Sequence, residues 1–204
     1  MNTALQEYIN SLKKEVAEIP DERKGKLREI SDYILTKPGN GKPPKLVFIC
    51  THNSRRSHLC QIWAATLAEH FGLKDLLTYS GGTEVTAFNT RAVEAIKRAG
   101  FTVENPGGDN PGYRVYYDEQ LEPLVCYSKT FDDEANPEKD FAAVMTCSDA
   151  DRNCPVVPGT DLRVTLPYED PKQADGTPQE SQIYDERCRQ IAAEMYYMLS
   201  GCTE

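Results

Sequence analysis

The chain has 204 residues, enough to bury one sizeable core and short for two full enzyme domains. With 39% hydrophobic and 27% charged residues, 13 Gly and 13 Pro, its composition excludes collagen-like, disordered and disulfide-scaffold classes. Its 23 Lys and Arg against 32 Asp and Glu give a net charge of −9, which argues against a nucleic-acid partner or an anionic-membrane surface.

In chain order, residues 1–36 predict two helices folded as a hairpin. Leu5, Tyr8, Ile9, Leu12, Val16 and Ile19 recur at spacings of three and four; after Pro20, with Asp21 and Glu22 in the first turn, the stripe resumes at Leu27, Ile30, Tyr33 and Ile34. A helix pair this small cannot bury its stripe alone, so it is expected to pack on the rest of the chain or to offer a partner surface, a homodimer included. Residues 1–22 lack the apolar core of a signal peptide, and no apolar run in the chain approaches the ~20 residues of a membrane span, so the cytoplasm is the expected location, with no membrane partner. Residues 37–44, with three prolines and two glycines, predict a linker.

From residue 45 strands alternate with helices, the signature of a parallel sheet covered on both faces. Residues 45–49 form a continuous apolar run suited to a central strand, ending at Cys50. A helix over 57–71 stops at Gly72, a strand over 76–80 closes at Gly81-Gly82, and a helix over 90–99 stops at Gly100. Residues 101–103 start a further strand. The stretch 104–136, rich in Gly, Pro and Tyr with little periodicity, reads as a long ordered insertion. Strands over 141–146 and 162–166 and a closing helix over 179–199 complete an α/β domain of about four parallel strands over residues 45–204. A ligand is expected at the carboxyl ends of those strands.

That end of the first strand carries Cys50-Thr-His-Asn-Ser-Arg-Arg56-Ser57, between a buried strand and a helix N-terminus. A tight loop of this length turns its backbone N–H groups inward, and the helix dipole behind adds positive potential, so the place suits a tetrahedral oxyanion. Arg56 can grip two of its oxygens with a planar fork. The same field stabilises a thiolate at Cys50, which makes it a nucleophile. His52, Arg55, Arg56 and His58 form a basic cluster in an acidic protein, Ser57 can donate to the thiolate, and Asn53 tolerates a left-handed turn. After the last predicted strand, Glu169-Asp170-Pro171 supplies a carboxyl group to protonate a leaving oxygen.

Seven cysteines in such a chain are expected to be free thiols with some redox chemistry, and Cys50, Cys147 and Cys154 matter more than Cys60, Cys126, Cys188 or Cys202. Cys147 ends the 141–146 strand, at the same sheet edge as Cys50. If the residues between Cys147 and Cys154 are helical, seven steps of ~1.5 Å place the two Cα atoms ~10.5 Å apart. A disulfide needs less than ~7 Å, so joining them would require the segment to unwind. The C-x6-C spacing does not fit a zinc knuckle and no further ligands cluster nearby, so neither a metal nor a cofactor is expected; two unrelated buried thiols remain the plain alternative.

The Cys50–Ser57 loop resembles the C-x5-R-S loop of the low-molecular-weight protein tyrosine phosphatase superfamily, and more closely its thioredoxin-coupled arsenate reductase branch. His52 stands where those families usually have Gly, and Arg55 where they often have a second Cys. Residues 168–177 are similar to the branch's Asp-Pro acid loop, and Cys147-Ser-Asp-Ala-Asp with the closing Cys154-Pro155 resembles its redox pair. The resemblance covers roughly residues 45–200 outside an insertion at about 104–130. It implies a flavodoxin-like four-stranded sheet and an oxyanion, arsenate or phosphate, held by Thr51, His52, Asn53, Ser54, Arg55, Arg56 and Ser57. It further implies Cys50 as nucleophile, Asp170 as acid, Cys147 and Cys154 as successive resolving thiols, and thioredoxin as reductant. A phosphatase using Cys50, Arg56 and Asp170 alone, and a thiol-state-sensing module contacting a partner through the hairpin, are the alternatives. Monovalent-cation binding is not expected, because Gln61 stands near where some members carry Glu.

Overall fold

A computed structural model describes residues 1–37, 41–154 and 156–203. Residues 38–40 of the expected linker and Pro155 of the second cysteine motif lie outside the described residues. The frame is a four-stranded parallel sheet in the order β2-β1-β6-β7, built from β1 (Lys45–Cys50), β2 (Leu77–Gly82), β6 (Phe141–Met145) and β7 (Thr160–Thr165). The continuous apolar runs sort by the two-residue period of a strand. In β1, Leu46 and Phe48 enter one core and Val47 and Ile49 a smaller one on the opposite face, which Cys50 joins where the alternation ends with the strand.

The two faces are covered unequally. The large core lies under α4 (Arg56–His70), α5 (Thr90–Arg98) and the closing α7 (Glu180–Ser200), around the fully buried Trp63. The small core is capped by Ala150 of a single six-residue helix, α6 (Ser148–Asn153), together with Val157 and Phe131. The flavodoxin-like four-stranded arrangement is the one expected.

The N-terminal segment folds as three helices where two were expected: α1 (Thr3–Asn10), α2 (Lys13–Glu18) and α3 (Asp21–Thr36). The break falls where the Ser11 hydroxyl donates to the Tyr8 carbonyl and the Arg189 guanidinium donates to the Ser11 carbonyl. Leu5, Ile9, Leu12, Leu27 and Ile30 are all buried in the large core, and Tyr8 stacks on Trp63 at 5.3 Å. The chain's own α4 and α7 thus consume the stripe that suggested a partner surface.

The insertion carries strands that its weak periodicity did not show. A second, three-stranded antiparallel sheet, β3-β4-β5, runs through Thr102–Glu104, Tyr113–Tyr116 and Leu124–Cys126. Its strands are only three or four residues long, too short for the alternation of Tyr113 and Val115 inward to stand out. No helix among the described residues is long and apolar enough to cross a membrane.

Candidate active site

The loop after β1 is fixed from outside. The Cys50 and Thr51 carbonyls accept from the Thr83 amide, Thr51 also from Glu84, Ser54 from the Asn89 amide and Arg55 from Leu59, at 2.8–3.2 Å. The His52 carbonyl accepts from the Ser128 hydroxyl at 2.8 Å. By contrast, no amide N–H of residues 51–56 donates to an acceptor among the described residues. With carbonyls turned out and amides left over, the loop is an anion nest backed by the N-terminus of α4.

Asn53 makes the turn, with φ of 42°, and the Lys129 amide donates to its side-chain oxygen at 3.0 Å. His52 is outside the left-handed region, so the loop does not require glycine there. The Asn53 side-chain amide donates to the Ser57 hydroxyl at 2.8 Å, and that hydroxyl lies 3.1 Å from the Cys50 sulfur. Since Ser57 Oγ accepts from Asn53, its own proton is available to the sulfur. Cys50 itself is buried at 3% exposure.

Arg56 opens α4 and reaches the strand-following loop of β7. It donates to the Tyr168 carbonyl at 3.0 Å and to the Asp170 carboxylate at 2.6 Å. Its Nε is buried without a partner among the described residues. Asp170 also accepts from the Lys172 amide, capping a 3-10 turn over Pro171–Ala174. Cys50, Arg56, Ser57 and Asp170 are therefore brought to one place, with a guanidinium donor to spare for an oxyanion.

The basic cluster does not assemble as the residue count suggested. His58 is fully buried edge-on to Phe88, where desolvation, with a smaller contribution from the Lys129 charge, lowers its pKa to about 3 and leaves it neutral. His52 turns outward to within 3.4 Å of Glu84. Arg55 donates to the Tyr184 hydroxyl at 2.8 Å and reaches Asp175, away from the Arg56–Asp170 pair. The Ser54 hydroxyl donates to the Ala87 carbonyl, and the Thr51 hydroxyl faces a sulfur. Local positive character rests on Arg56 and the amides. Among the described residues no three His, Cys, Asp or Glu side chains converge as a metal site.

That sulfur is Cys147. The Thr146 amide donates to the Ile49 carbonyl at 2.7 Å, which carries β6 alongside β1 to the level of Cys50. Cys147 Sγ then lies 3.4 Å from Thr51 Oγ1, inside the small core that also holds Cys50. Cys147 caps α6, its sulfur accepting from the Ala150 amide at 3.3 Å, and half-buried Cys154 ends the same helix, so the segment between them is helical. All seven cysteines are free. Burial pushes the Cys154 thiol up, partly offset by the Arg163 charge. Arg163 of β7 donates to the carbonyls of Asp151 and Cys154 and to the Asp151 carboxylate, which also accepts from Thr165, and so staples the helix down.

Sequence reasoning missed three contributors. Gly82, read only as a strand end, lies so close under the loop that a Cβ would sit 2.7 Å from the Asn53 nitrogen and the Thr51 oxygen. Ser128 and Lys129 close the loop from the end of the insertion. The Gly81-Gly82 pair was the one available signal, since paired glycines in a strand often mark a close backbone approach.

A buried strand-end cysteine, an amide-lined loop, an arginine and a facing aspartate make a site whose geometry suits cysteine chemistry on an oxyanion. No family model matches the sequence. It is 27% identical over 126 residues to arsenate reductase 2 of Staphylococcus epidermidis, covering 62% of this chain and 77% of that one. To the arsenate reductase of Bacillus licheniformis it is 26% identical over 149 residues, 73% and 89% of the two chains. The fold matches a low-molecular-weight phosphotyrosine phosphatase from Vibrio cholerae with a TM-score of 0.53 at 11% identity, over 77% of this chain and 95% of the other. In sequence the chain is thus similar to arsenate reductases, and in fold to a low-molecular-weight phosphotyrosine phosphatase.

Proposed function

We propose that the protein is a cytoplasmic arsenate reductase for arsenic detoxification, with residues 45–204 as its catalytic unit and the N-terminal helices as a buttress. Arsenate sits on the amides of residues 51–56 and the spare Arg56 nitrogen, and the Cys50 thiolate attacks arsenic. Asp170 gives a proton to the departing oxygen, which leaves as water, and a Cys50–arsenate adduct forms. The Cys147 thiolate then attacks Cys50 Sγ; the sulfur–arsenic bond breaks, its electron pair stays on arsenic, and arsenic(V) leaves as arsenite. Cys154 in turn attacks Cys147 Sγ, which restores Cys50 and moves the disulfide to the outer pair, where a dithiol protein of the thioredoxin type reduces it.

The observation that carries this reading over a plain phosphatase is the position of Cys147: its sulfur is 3.4 Å from the Thr51 hydroxyl, in the same apolar pocket as Cys50, with Cys154 one short helix away. A phosphatase needs Cys50, Arg56 and Asp170 and has no use for two further thiols at that edge. Hydrolysis of aryl phosphates is expected as a by-product, because phosphate and arsenate share shape and charge.

The test is NADPH consumption with thioredoxin, thioredoxin reductase and arsenate. Multiple turnovers that vanish in Cys50→Ser, Cys147→Ser and Cys154→Ser are the expected outcome. Aryl phosphate hydrolysis through Cys50 with no arsenate-dependent oxidation would assign the protein as a phosphatase.

A further inference from the structure

We propose that Arg23, contributed by the N-terminal helices, is a positioning residue for the oxyanion site, acting through Glu194 and Tyr168 on Arg56. The inference rests on the catalytic role given above to Arg56.

Glu194 lies in the middle of α7 at 2% exposure, where an unpaired carboxylate would be strongly destabilising. Arg23, in the first turn of α3, pairs with it through two parallel bonds, Nε to Oε1 at 2.8 Å and Nη2 to Oε2 at 2.6 Å. Its third nitrogen donates to the Pro167 carbonyl at 3.0 Å, and its guanidinium carbon stands 4.9 Å from the centre of the Tyr168 ring. The Tyr168 hydroxyl, fully buried, donates to the same Glu194 at 2.8 Å. Arg23 and Glu194 thus hold residues 167 and 168 by backbone, ring and hydroxyl at once.

What is held there matters to the reaction. The Tyr168 carbonyl is the acceptor that anchors Arg56 Nη1, and Asp170, two residues on, takes Nη2. With both terminal nitrogens fixed, the rotation of the guanidinium is set, and so is the direction of the unpartnered Nε. A buried ion pair is seldom the most stable filling for such a space, since apolar residues of similar volume do as well or better. What the pair adds is geometry: the bidentate fork fixes Arg23 against Glu194 in one orientation, and a rigid Tyr168 follows. The N-terminal segment therefore reaches the site through Arg23, although among the described residues no hydrogen bond or ion pair joins α1–α3 to the loop directly.

The test pairs Arg23→Lys, which keeps a charge opposite Glu194 but loses the fork and the Pro167 bond, with the neutral double variant Arg23→Met/Glu194→Gln. Tyr168→Phe, which loses only the hydroxyl link, serves as a third variant should the others unfold. Each is made in the wild-type and in the Arg56→Lys background. The readouts are thermal unfolding and the inhibition constant of inorganic phosphate, taken from competition with aryl phosphate hydrolysis where the variant turns over and from calorimetric phosphate binding where it does not.

We expect the inhibition constant to rise roughly tenfold in the wild-type background, as it does when an outer partner of a binding group is lost, and to change little in the Arg56→Lys background, where the group being positioned is already gone. A purely structural role would lower the unfolding temperature and leave the inhibition constant alone, or shift it equally in both backgrounds, and either result overturns the inference. Wild-type protein that turns over neither aryl phosphate nor arsenate would instead remove the catalytic reading beneath it.

Discussion

The Cys50 loop and the Cys147–Cys154 segment leave neighbouring strands of one sheet, β1 and β6, yet they are built for opposite behaviour. In the first, the carbonyls of Cys50, Thr51, His52 and Ser54 are bonded to separate parts of the chain, residues 83–84, 128 and 89. The second is a six-residue helix with one buried side chain, Ala150, held mainly by Arg163 and Thr165. A helix that short has no stability of its own in water and persists only through such tertiary contacts. A binding site gains from rigidity, because donors placed in advance need not reorganise when charge develops. A relay of electrons between sulfurs gains from a segment that can open. On the proposed reading, the uneven covering of the sheet, thick over one face and a single helix over the other, lets one small domain serve both needs.

Cys147→Ser separates the two segments most sharply. Arsenate-dependent NADPH oxidation should disappear, while aryl phosphate hydrolysis stays within about threefold of wild type, because only the first activity needs the second segment. Equal loss of both would mean that the segments are not functionally separate. Next in size is Gly82→Ala, whose Cβ would press on the Asn53 nitrogen and the Thr51 oxygen. Displacing the nest by a fraction of an ångström should cut both activities by on the order of 100-fold with the circular dichroism spectrum unchanged.

Loosening the α6 side should show as exposure rather than loss. In Arg163→Met the helix keeps Ala150 but loses the bonds to Asp151 and Cys154. With about 1–1.5 kcal/mol less holding it, alkylation of Cys154 should speed up roughly tenfold, measured by mass spectrometry. An unchanged rate would show that the staple does not govern opening.

The smallest effect belongs to the rigid side. His58 is neutral in the folded protein with a pKa of about 3, below the ordinary value of 6.5. The unfolded chain therefore takes up a proton that the folded one refuses. Stability is unaffected above pH 6.5 and falls below it by up to about 1.4 kcal/mol per pH unit, until the folded value is reached. Denaturant titrations at pH 7 and pH 5 should differ by about 2 kcal/mol from this source, and His58→Asn should remove that part of the slope.

Much of this was legible in the residues, where local pattern and tertiary role coincide. The run Leu46 to Ile49 is apolar because both faces of a central strand are buried, and the same strand end has to carry the ligand-facing loop. Asn53 was legible because few residue types accept a left-handed turn. The basic cluster misled because a count of charges along a loop does not say where side chains point: His58 faces inward, Arg55 toward Tyr184 and His52 outward. Of the three-stranded sheet only the strand starting at 101–103 was legible, because strands such as Leu124–Cys126 are too short to show a period. Arg23, Glu194 and Tyr168 were invisible for a different reason, since nothing local links residues 171 positions apart.

The most direct test of the relay is a single turnover with stoichiometric arsenate and no reductant, followed by acid quenching and disulfide mapping. The expected products are a Cys147–Cys154 disulfide in the wild-type protein and a Cys50–Cys147 disulfide in Cys154→Ser, each with one equivalent of arsenite released. Arsenite release with no disulfide among these three cysteines, or with one that engages Cys60, Cys126, Cys188 or Cys202, would contradict the relay.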